Sequence, residues 1–280
     1  MCEFCVQHGN GKKWYLEARN YADDLAADLR RQDFVRDFFA SYREDFQRGL
    51  QQLELLARAP APIRRAVSGL FTWHMKPRHF GQVVPLEDVE RILGLVSSVV
   101  RLPCVCRRVT VGQEEARYCI GLTVDPDRIL MAGVLDESFR AGPDTMKFET
   151  LAPDEALALM RGFERDGLVH SVWTMITPFV AGICNCDRAD CLAMLSTVKY
   201  DAKVMWRGEY VALVDEERCT GCRRCMRLCQ FGALAYSAAE GHVVVDQYRC
   251  YGCGVCRTAC AAGALRLLER QAVPAVARLW

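Results

Sequence analysis

The pattern of apolar and polar positions predicts helices in the first part of the chain. Over residues 20–59 apolar side chains recur at steps of three and four, opposite a charged face; they are Leu25, Leu29, Val35, Phe38, Phe39, Tyr42, Phe46, Leu50, Leu53 and Leu56. This spacing predicts one amphipathic helix, or two helices broken near Gln32 and Asp33. Pro60 and Pro62 are expected to end the helical stretch. Its apolar face would either cover the central domain or dock a partner subunit.

Helices and strands are mixed in the middle of the chain. Pro85, followed by acidic residues, predicts one helix start, and Pro153 predicts another helix that ends near Gly167. Strands are expected from Val99 into a Cys-x-Cys segment, over residues 118–124, and over residues 168–173. The predicted fold class is therefore α+β, with an N-terminal helical segment, a mixed α/β cysteine-rich centre and a small C-terminal domain.

Eight cysteines near the C terminus form two runs of the same spacing, C-x2-C-x2-C-x3-C. This is the spacing of bacterial two-cluster ferredoxins, in which the fourth cysteine of each run binds the cluster held by the first three cysteines of the other run. The runs predict two 4Fe-4S clusters, one held by Cys219, Cys222, Cys225 and Cys260, the other by Cys250, Cys253, Cys256 and Cys229. A pair of zinc sites is the alternative, but zinc uses isolated C-x2-C pairs and has no need of interleaved runs.

The two runs belong to an internal repeat, since Cys219 and Cys250 stand 31 residues apart in matching surroundings. Each repeat predicts a β-branched strand (211–214 and 243–245), a cysteine loop, a short helix and a return strand after Gly-Ala-Leu. Gln230 and Ala261 stand where proline usually follows the fourth cysteine. Because that proline only stiffens the turn, we expect a looser turn and no lost ligand.

The charge balance and the cysteine count narrow the class of protein. Among 280 residues, 36 Lys and Arg stand against 35 Asp and Glu, and a net charge of +1 gives no electrostatic footprint for nucleic acid or an anionic membrane. The first residues lack the features of a signal peptide, and no stretch is apolar for long enough to predict a membrane span. Sixteen cysteines in such a chain indicate metal thiolates in a reducing cytoplasm, not disulfides.

Eight further cysteines lie outside the two runs: Cys2, Cys5, Cys104, Cys106, Cys119, Cys184, Cys186 and Cys191. Alternate residues of an extended segment project to the same side, so a Cys-x-Cys pair at a strand end presents two ligands together. Two such pairs favour at least one additional metal centre between the 104–106 and 184–191 loops. An iron-sulfur cluster would extend an electron path, and zinc would cross-link the domain with the same thiolates. Cys119 alone could be a buried cysteine without metal. Cys2 and Cys5, with His8, could supply two or three metal ligands, or the two cysteines could be free thiols.

Other polar residues admit both functional and structural interpretations. Arg107 and Arg108 either offset the negative charge of a thiolate site or are solvated. His170, in an alternating segment, is interpreted as a structural histidine. The sequence contains no G-x-G-x-x-G, Walker or H-E-x-x-H motif, so neither a nucleotide site nor a hydrolytic zinc site is predicted.

Four segments resemble, in order, a group of ferredoxin-domain proteins. They are Leu-Pro-Cys-x-Cys-Arg at 102–107, Gly-Leu-Val-His at 167–170, Ile-Cys-Asn-Cys at 183–186, and the cysteine runs at 219–260. In that group more cysteines commonly follow Ile-Cys-Asn-Cys, whereas this chain keeps only Cys191 close by. The resemblance implies electron transfer, and the first eighty residues lie outside it.

The predicted organisation is a helical region with a CxxC start (1–84), a cysteine-rich α+β domain with an extra metal site (85–208), a two-cluster ferredoxin domain (209–270) and a tail (271–280). We expect an electron-transfer protein that serves a redox partner protein or an oxidoreductase complex, with no nucleic-acid partner. One alternative is an oxidoreductase that binds substrate at an open position of the central metal site. Another is a redox or metal sensor, in which loss of a labile site frees the N-terminal helix.

Overall fold

The computed structural model of the chain describes residues 12–96, 98–123 and 149–279. After two 3-10 turns, Trp14–Leu16 and Ala18–Tyr21, come helices α1 (Asp23–Ala26), α2 (Leu29–Ala57) and α3 (Ala61–Met75). The helical break lies at residues 27–28, not near Gln32 and Asp33, because the Asp28 carboxylate accepts the Arg31 N–H and caps α2. Pro62 occupies the first turn of α3, where its missing N–H has no partner to lose. Helices α2 and α3 are joined by residues 58–60 and line one common cavity, and we call the two together the helical hairpin.

A seven-stranded sheet forms the centre of the molecule. Its strands are β1 (Gly81–Val83), β2 (Ser98–Leu102), β3 (Cys119–Thr123), β4 (Glu149–Leu151), β5 (Val169–Thr174), β6 (Val180–Cys186) and β7 (Met205–Trp206). They lie in the order β4-β2-β3-β6-β5-β1-β7, and every pair is antiparallel except β1 with β7. Strand β1 therefore lies inside the central sheet, although the predicted boundary after residue 84 assigned it to the N-terminal region.

Helices α4 (Leu86–Leu93) and α6 (Pro153–Arg165) pack on one face of this sheet and form the main core with Val172 and Ile183. Their starts agree with the prediction from Pro85 and Pro153. Trp14 and Tyr15 seal the same core: Trp14 Nε1 donates to Gln82 Oε1 at 2.5 Å, and the Tyr15 hydroxyl donates to Asp88 at 2.8 Å.

The opposite face of the sheet carries the cysteines. Alternation along β6 sends Ile183 into the main core and Cys184 and Cys186 to the other side. That side also bears α5 (Val105–Thr110), α7 (Leu192–Met194, continued by a π-helical turn, Leu195–Lys199) and the helical hairpin. One face of the sheet therefore packs the main hydrophobic core, and the other bears the cysteine thiols.

The C-terminal unit contains β8 (Tyr210–Val214), α8 (Arg224–Leu228), β9 (Leu234–Ser237), β10 (His242–Val245), a 3-10 turn (Val255–Ala259) and β11 (Leu265–Glu269). β11, the return strand of the second repeat, pairs antiparallel with β8 of the first, and β9 pairs with β10. The two repeats therefore interlock through their strands, and each has the strand, short helical segment and return strand that the sequence predicts. With the helical hairpin and the mixed sheet, this unit confirms the α+β class.

Residues 271–279 are pinned to the molecule by Arg270, which sequence analysis did not single out. Its fully buried guanidinium pairs with buried Glu209 at 2.8 Å and donates to the carbonyls of Val276 and Ala277 at 3.3 and 3.1 Å.

Within the described ranges, no helix is both long enough and apolar enough to cross a membrane.

Candidate metal centres

Cys219, Cys222, Cys225 and Cys260 line one cavity of about 410 Å³ in the C-terminal unit, and we call them the outer group. Burial, followed by the charges of Cys260, Cys222 and Cys219, raises the pKa of the Cys225 thiol to about 11. Cys222 is exposed, and the backbone N–H of Arg224 lowers its pKa. The fold thus brings the first three cysteines of one run to the fourth cysteine of the other.

Cys250, Cys253, Cys256 and Cys229 form the inner group. Burial raises the pKa of the Cys256 thiol, and the nearby thiols of Cys253, Cys250 and Cys229 raise it further. Backbone N–H groups point at sulfur in both groups, from Ala212 to Cys250 at 3.4 Å, from Ala233 to Cys229 at 3.2 Å and from Ala264 to Cys260 at 3.2 Å. Such N–H to sulfur contacts are among the features that set the potentials of iron-sulfur centres.

The loop of the inner group requires glycine at residue 252. Gly252 has φ +70°, and a Cβ atom there would lie 2.1 Å from the Tyr210 carbonyl oxygen. Gly221 occupies the equivalent position of the outer group, also with positive φ and a carbonyl at 2.5 Å. Both cysteine loops therefore approach neighbouring backbone more closely than any side chain would allow.

The six cysteines of the central domain, which we call the central thiol group, all line one further cavity of about 900 Å³. They are Cys104, Cys106, Cys119, Cys184, Cys186 and Cys191. Strand register pairs Cys119 with Cys184 across β3 and β6, which places their sulfur atoms 3.7 Å apart. Two segments about 80 residues apart in sequence thus contribute thiols to one place, as the two Cys-x-Cys pairs suggest.

The local structure at Cys104 and Cys106 differs from the prediction. The strand ends at Leu102, before Pro103, and Cys104 is the N-cap of α5, with Cys106 inside the helix. Proline stops the β ladder because it has no N–H to donate, and the chain then turns into a helix. Both thiols nevertheless reach the central thiol group, through a helix start and not through an extended segment.

The central thiols are buried against one another. A hydrogen bond with Cys119, and then burial, raises the pKa of Cys104; a hydrogen bond with Cys191, and then burial, raises that of Cys106. For Cys184 a hydrogen bond with Cys119 lowers the pKa, but burial and the neighbouring thiols outweigh it and raise it to about 12. Thiols held in this way keep their protons until a metal replaces them.

Arg107 is buried beside the central thiols, so the interpretation as a solvated residue was wrong. It forms an ion pair with Asp187, lies 3.6 Å from Asp190, and its Nη1 atom is 3.9 Å from Cys104 Sγ. Arg108 is also buried but faces Glu114, with Nε 3.3 Å from the carboxylate. Arg107 therefore presents its charge to the thiols.

The central thiols and the inner group border one set of packed apolar side chains, which we call the junction cluster. Cys186, Cys191, Met194, Phe231 and Val255 are buried in it, and Leu228, Cys229, Tyr251 and Cys253 pack against it. Phe231 and Tyr251 stack in parallel, with ring centroids 4.1 Å apart. The two regions that carry thiols are therefore in continuous contact.

Gln230 reinforces this junction and does not merely loosen the turn. Its Oε1 atom accepts the backbone N–H of Arg188 at 3.1 Å, and its Nε2 atom donates to the carbonyl of Gly167 at 2.9 Å. Arg188 belongs to the loop between Cys186 and Cys191. The residue that replaces proline thus ties the C-terminal unit to the central domain.

The structure describes His170, but not Cys2 and Cys5. His170 is fully buried and its Nδ1 atom lies 2.7 Å from Asn185 Oδ1; burial lowers its pKa to about 4, so it is a neutral structural residue. Cys2 and Cys5 lie outside the described residues.

The cavity beside the central thiols has mostly apolar walls from the helical hairpin. His79 lies between the rings of Phe38 and Trp173, with centroids 4.9 Å from each, and burial lowers its pKa to about 4. His79 was not among the residues that the sequence indicated for this wall. The apolar stripe of α2 was the available signal, because Phe38 belongs to it.

Residues 212–261 match the family described as the 4Fe-4S dicluster domain, which indicates cluster binding and supports iron-sulfur electron transfer. No curated protein matches the chain.

Proposed function

We propose that the chain is an electron-transfer protein with two 4Fe-4S clusters and a third centre bound by central thiols, and that it serves a larger oxidoreductase as subunit or partner. The observation that carries this proposal is the junction cluster, through which the central thiol group borders the inner group. When bound, each cluster accepts or donates one electron. We further propose a cytoplasmic location and no nucleic-acid partner.

The outer group would hold one cluster and the inner group the other. The donor chemistry supports this assignment, because each group offers four cysteine thiols, the usual ligand set of a 4Fe-4S cluster. The N–H groups of Ala212, Ala233 and Ala264 would stabilise negative charge on the sulfur atoms of both groups.

Iron-sulfur is favoured over zinc for the central thiol group by its location. The group borders the inner group through the junction cluster, and zinc has no redox chemistry to share with a neighbouring cluster. Among the residues that the structure describes, no three Cys, His, Asp or Glu side chains have the geometry of a single-ion site.

The side chains of the protein would act mainly by positioning the metal centres and by placing charge beside them. Arg107 places a positive charge against the central thiols, which favours their ionised form and the reduced state of a bound centre. The stacked rings of Phe231 and Tyr251 belong to the junction cluster that the central and inner groups both border. Exposure of Cys222 leaves the outer group as the edge that an external partner can approach.

Ligand variants test the assignment under anaerobic conditions. Cys222→Ser should remove about four irons per chain, and the double variant Cys104→Ser/Cys184→Ser should remove about four others without disturbing the dicluster spectrum. Thr110→Ser, a conservative change on the same helix, is the control and should leave the iron content unchanged. An unchanged iron count in the double variant would contradict the third centre alone.

A second candidate function is supported by the cavity of about 900 Å³ that the central thiols share with the helical hairpin. Its volume and apolar walls suit a small-molecule site, so the chain could reduce an apolar substrate at the central centre. Turnover of such a substrate by the isolated chain, abolished by Phe38→Asp in the cavity wall but not by Arg36→Asp on the same helix, would favour this candidate. Electron transfer to carrier proteins without any such turnover would favour the first proposal.

A further inference from the structure

The two repeats of the C-terminal unit differ in one feature that their shared fold does not require. In the outer loop, Arg223 and Arg224 lie between the second and third cysteines, and Arg227 lies between the third and fourth. The equivalent residues of the inner loop are Gly254, Val255 and Thr258. The three arginines are exposed, whereas Gly254 and Val255 are buried. We call the three arginines the arginine rim.

Arg223 adopts a backbone conformation that its side chain disfavours. Its φ is +62°, in the left-handed region, and the second repeat uses Gly254, with φ +81°, at the same position. Glycine adopts this conformation freely and arginine does not. The Arg223 guanidinium stacks over the Tyr236 ring at 3.7 Å and lines the same cavity as Cys222. The chain thus fixes a positive charge at the edge of the outer group, where glycine would serve the fold better.

The charges of the rim are available to a partner. Within the described ranges, none of the three arginines forms an ion pair with a carboxylate, and Glu216 and Glu240 lie 3.9 and 3.5 Å from His242 instead. Arg257 of the inner loop is the contrast, since its guanidinium binds both oxygens of Glu87 at 2.5 and 2.9 Å. The positive charge of Arg257 is therefore neutralised within the molecule, whereas the part of the chain that the structure describes offers the rim arginines no such carboxylate.

We propose that the arginine rim docks an acidic one-electron carrier protein against the Cys222 edge. This inference rests on the proposed function and adds the class of partner and the place of docking. One electron crosses the interface and no atom moves: the carrier is oxidised as the C-terminal unit is reduced, and the reverse direction balances in the same way. Opposite charges raise the rate of such encounters and orient them.

Stopped-flow kinetics of the reduced protein test the proposal, with an acidic flavodoxin and a basic ferric cytochrome c as oxidants. The wild-type rate with flavodoxin should fall as salt is added. Arg223→Glu/Arg224→Glu/Arg227→Glu should lower that rate about tenfold or more at low salt and raise the rate with cytochrome c. Arg30→Glu/Arg58→Glu/Arg65→Glu, which reverses three exposed charges on the helical hairpin, should leave the flavodoxin rate close to wild type.

Arg223→Gly is the second variant, because it installs the residue that the inner loop already uses. Its iron content and visible spectrum should match those of the wild type, while its flavodoxin rate at low salt falls severalfold. A wild-type rate that does not fall with salt, or a triple variant that keeps both its iron and its flavodoxin rate, would overturn the docking proposal. A wild-type chain that binds no iron would instead refute the proposed function itself, before any docking is measured.

Discussion

Gln230→Ala tests whether the side chain in the place of the usual proline connects the C-terminal unit to the central domain. The change removes the acceptor for Arg188 N–H at 3.1 Å and the donor to the Gly167 carbonyl at 2.9 Å. The turn itself should survive, because the second repeat already has Ala261 at the equivalent position. The effect should therefore be confined to the junction between the central domain and the C-terminal unit.

The size of the effect follows from the two hydrogen bonds. Each contributes about 0.5–1.5 kcal/mol net, so the variant should lose about 1–3 kcal/mol of local stability. The lower half of this range applies, since the Arg188 N–H is exposed and water can replace its partner. A loss of about 1.4 kcal/mol makes local opening about tenfold more frequent.

Amide hydrogen exchange measured by mass spectrometry reports this opening directly. The peptide that covers residues 187–191 should exchange about tenfold faster in Gln230→Ala, with the full iron content retained. Peptides of the helical hairpin provide the internal control and should be unaffected. Unchanged exchange at residues 187–191 would refute the role assigned to Gln230.

Three further predictions concern packing, a buried ion pair and a buried histidine. Gly252→Ala should remove about four irons per chain, since its Cβ would meet a carbonyl at 2.1 Å; Gly49→Ala, with open space around it, should not. Arg270→Met should lower the free energy of unfolding by about 3–5 kcal/mol, because it removes the positive charge that pairs with the buried Glu209 carboxylate. His170 has a pKa lowered to about 4 from an unfolded value of about 6.5, so the protonated form is favoured on unfolding. Stability should therefore be lost as pH falls from about 6.5 to 4, by about 3 kcal/mol at most, and His170→Gln should remove that part of the pH dependence.

Each of these predictions has a direct check. The iron content of Gly252→Ala and Gly49→Ala tests the first prediction. Equal iron in Gly252→Ala and wild type would contradict the close approach of residue 252 to the Tyr210 carbonyl. Thermal unfolding of Arg270→Met should be compared with that of Arg266→Met, an exposed arginine nearby; equal losses would show that burial does not matter. Unfolding at pH 7 and pH 5 tests the histidine, and an unaltered slope in His170→Gln would assign the titration to another group.

Local sequence patterns predicted the parts of the molecule that depend on short-range spacing. The cysteine runs give the interlocked repeats, and Pro85 and Pro153 mark helix starts, because these signals act within a few residues. That Cys104 and Cys184 lie close together was predictable in outline, since each belongs to a Cys-x-Cys pair and the two pairs were expected to bind one metal centre.

The remainder depends on contacts between residues far apart in sequence. Gln230 with Gly167, and Arg270 with Glu209, are single polar side chains that leave no periodic signal. The helix at residues 105–110 was missed because β-branched Val99 and Val100 favour continuing the strand, whereas Pro103 ends it. The cavity arises from the packing of the helical hairpin, which amphipathic spacing alone does not position.

We propose that the central thiol group holds an iron-sulfur centre in series with the clusters of the C-terminal unit. Iron, acid-labile sulfide and zinc should be counted per chain after anaerobic purification of the wild-type protein. We predict about twelve irons, about twelve sulfides and no zinc. About eight irons with about one zinc per chain would contradict it, and would leave the central thiols a structural zinc site beside a two-cluster carrier.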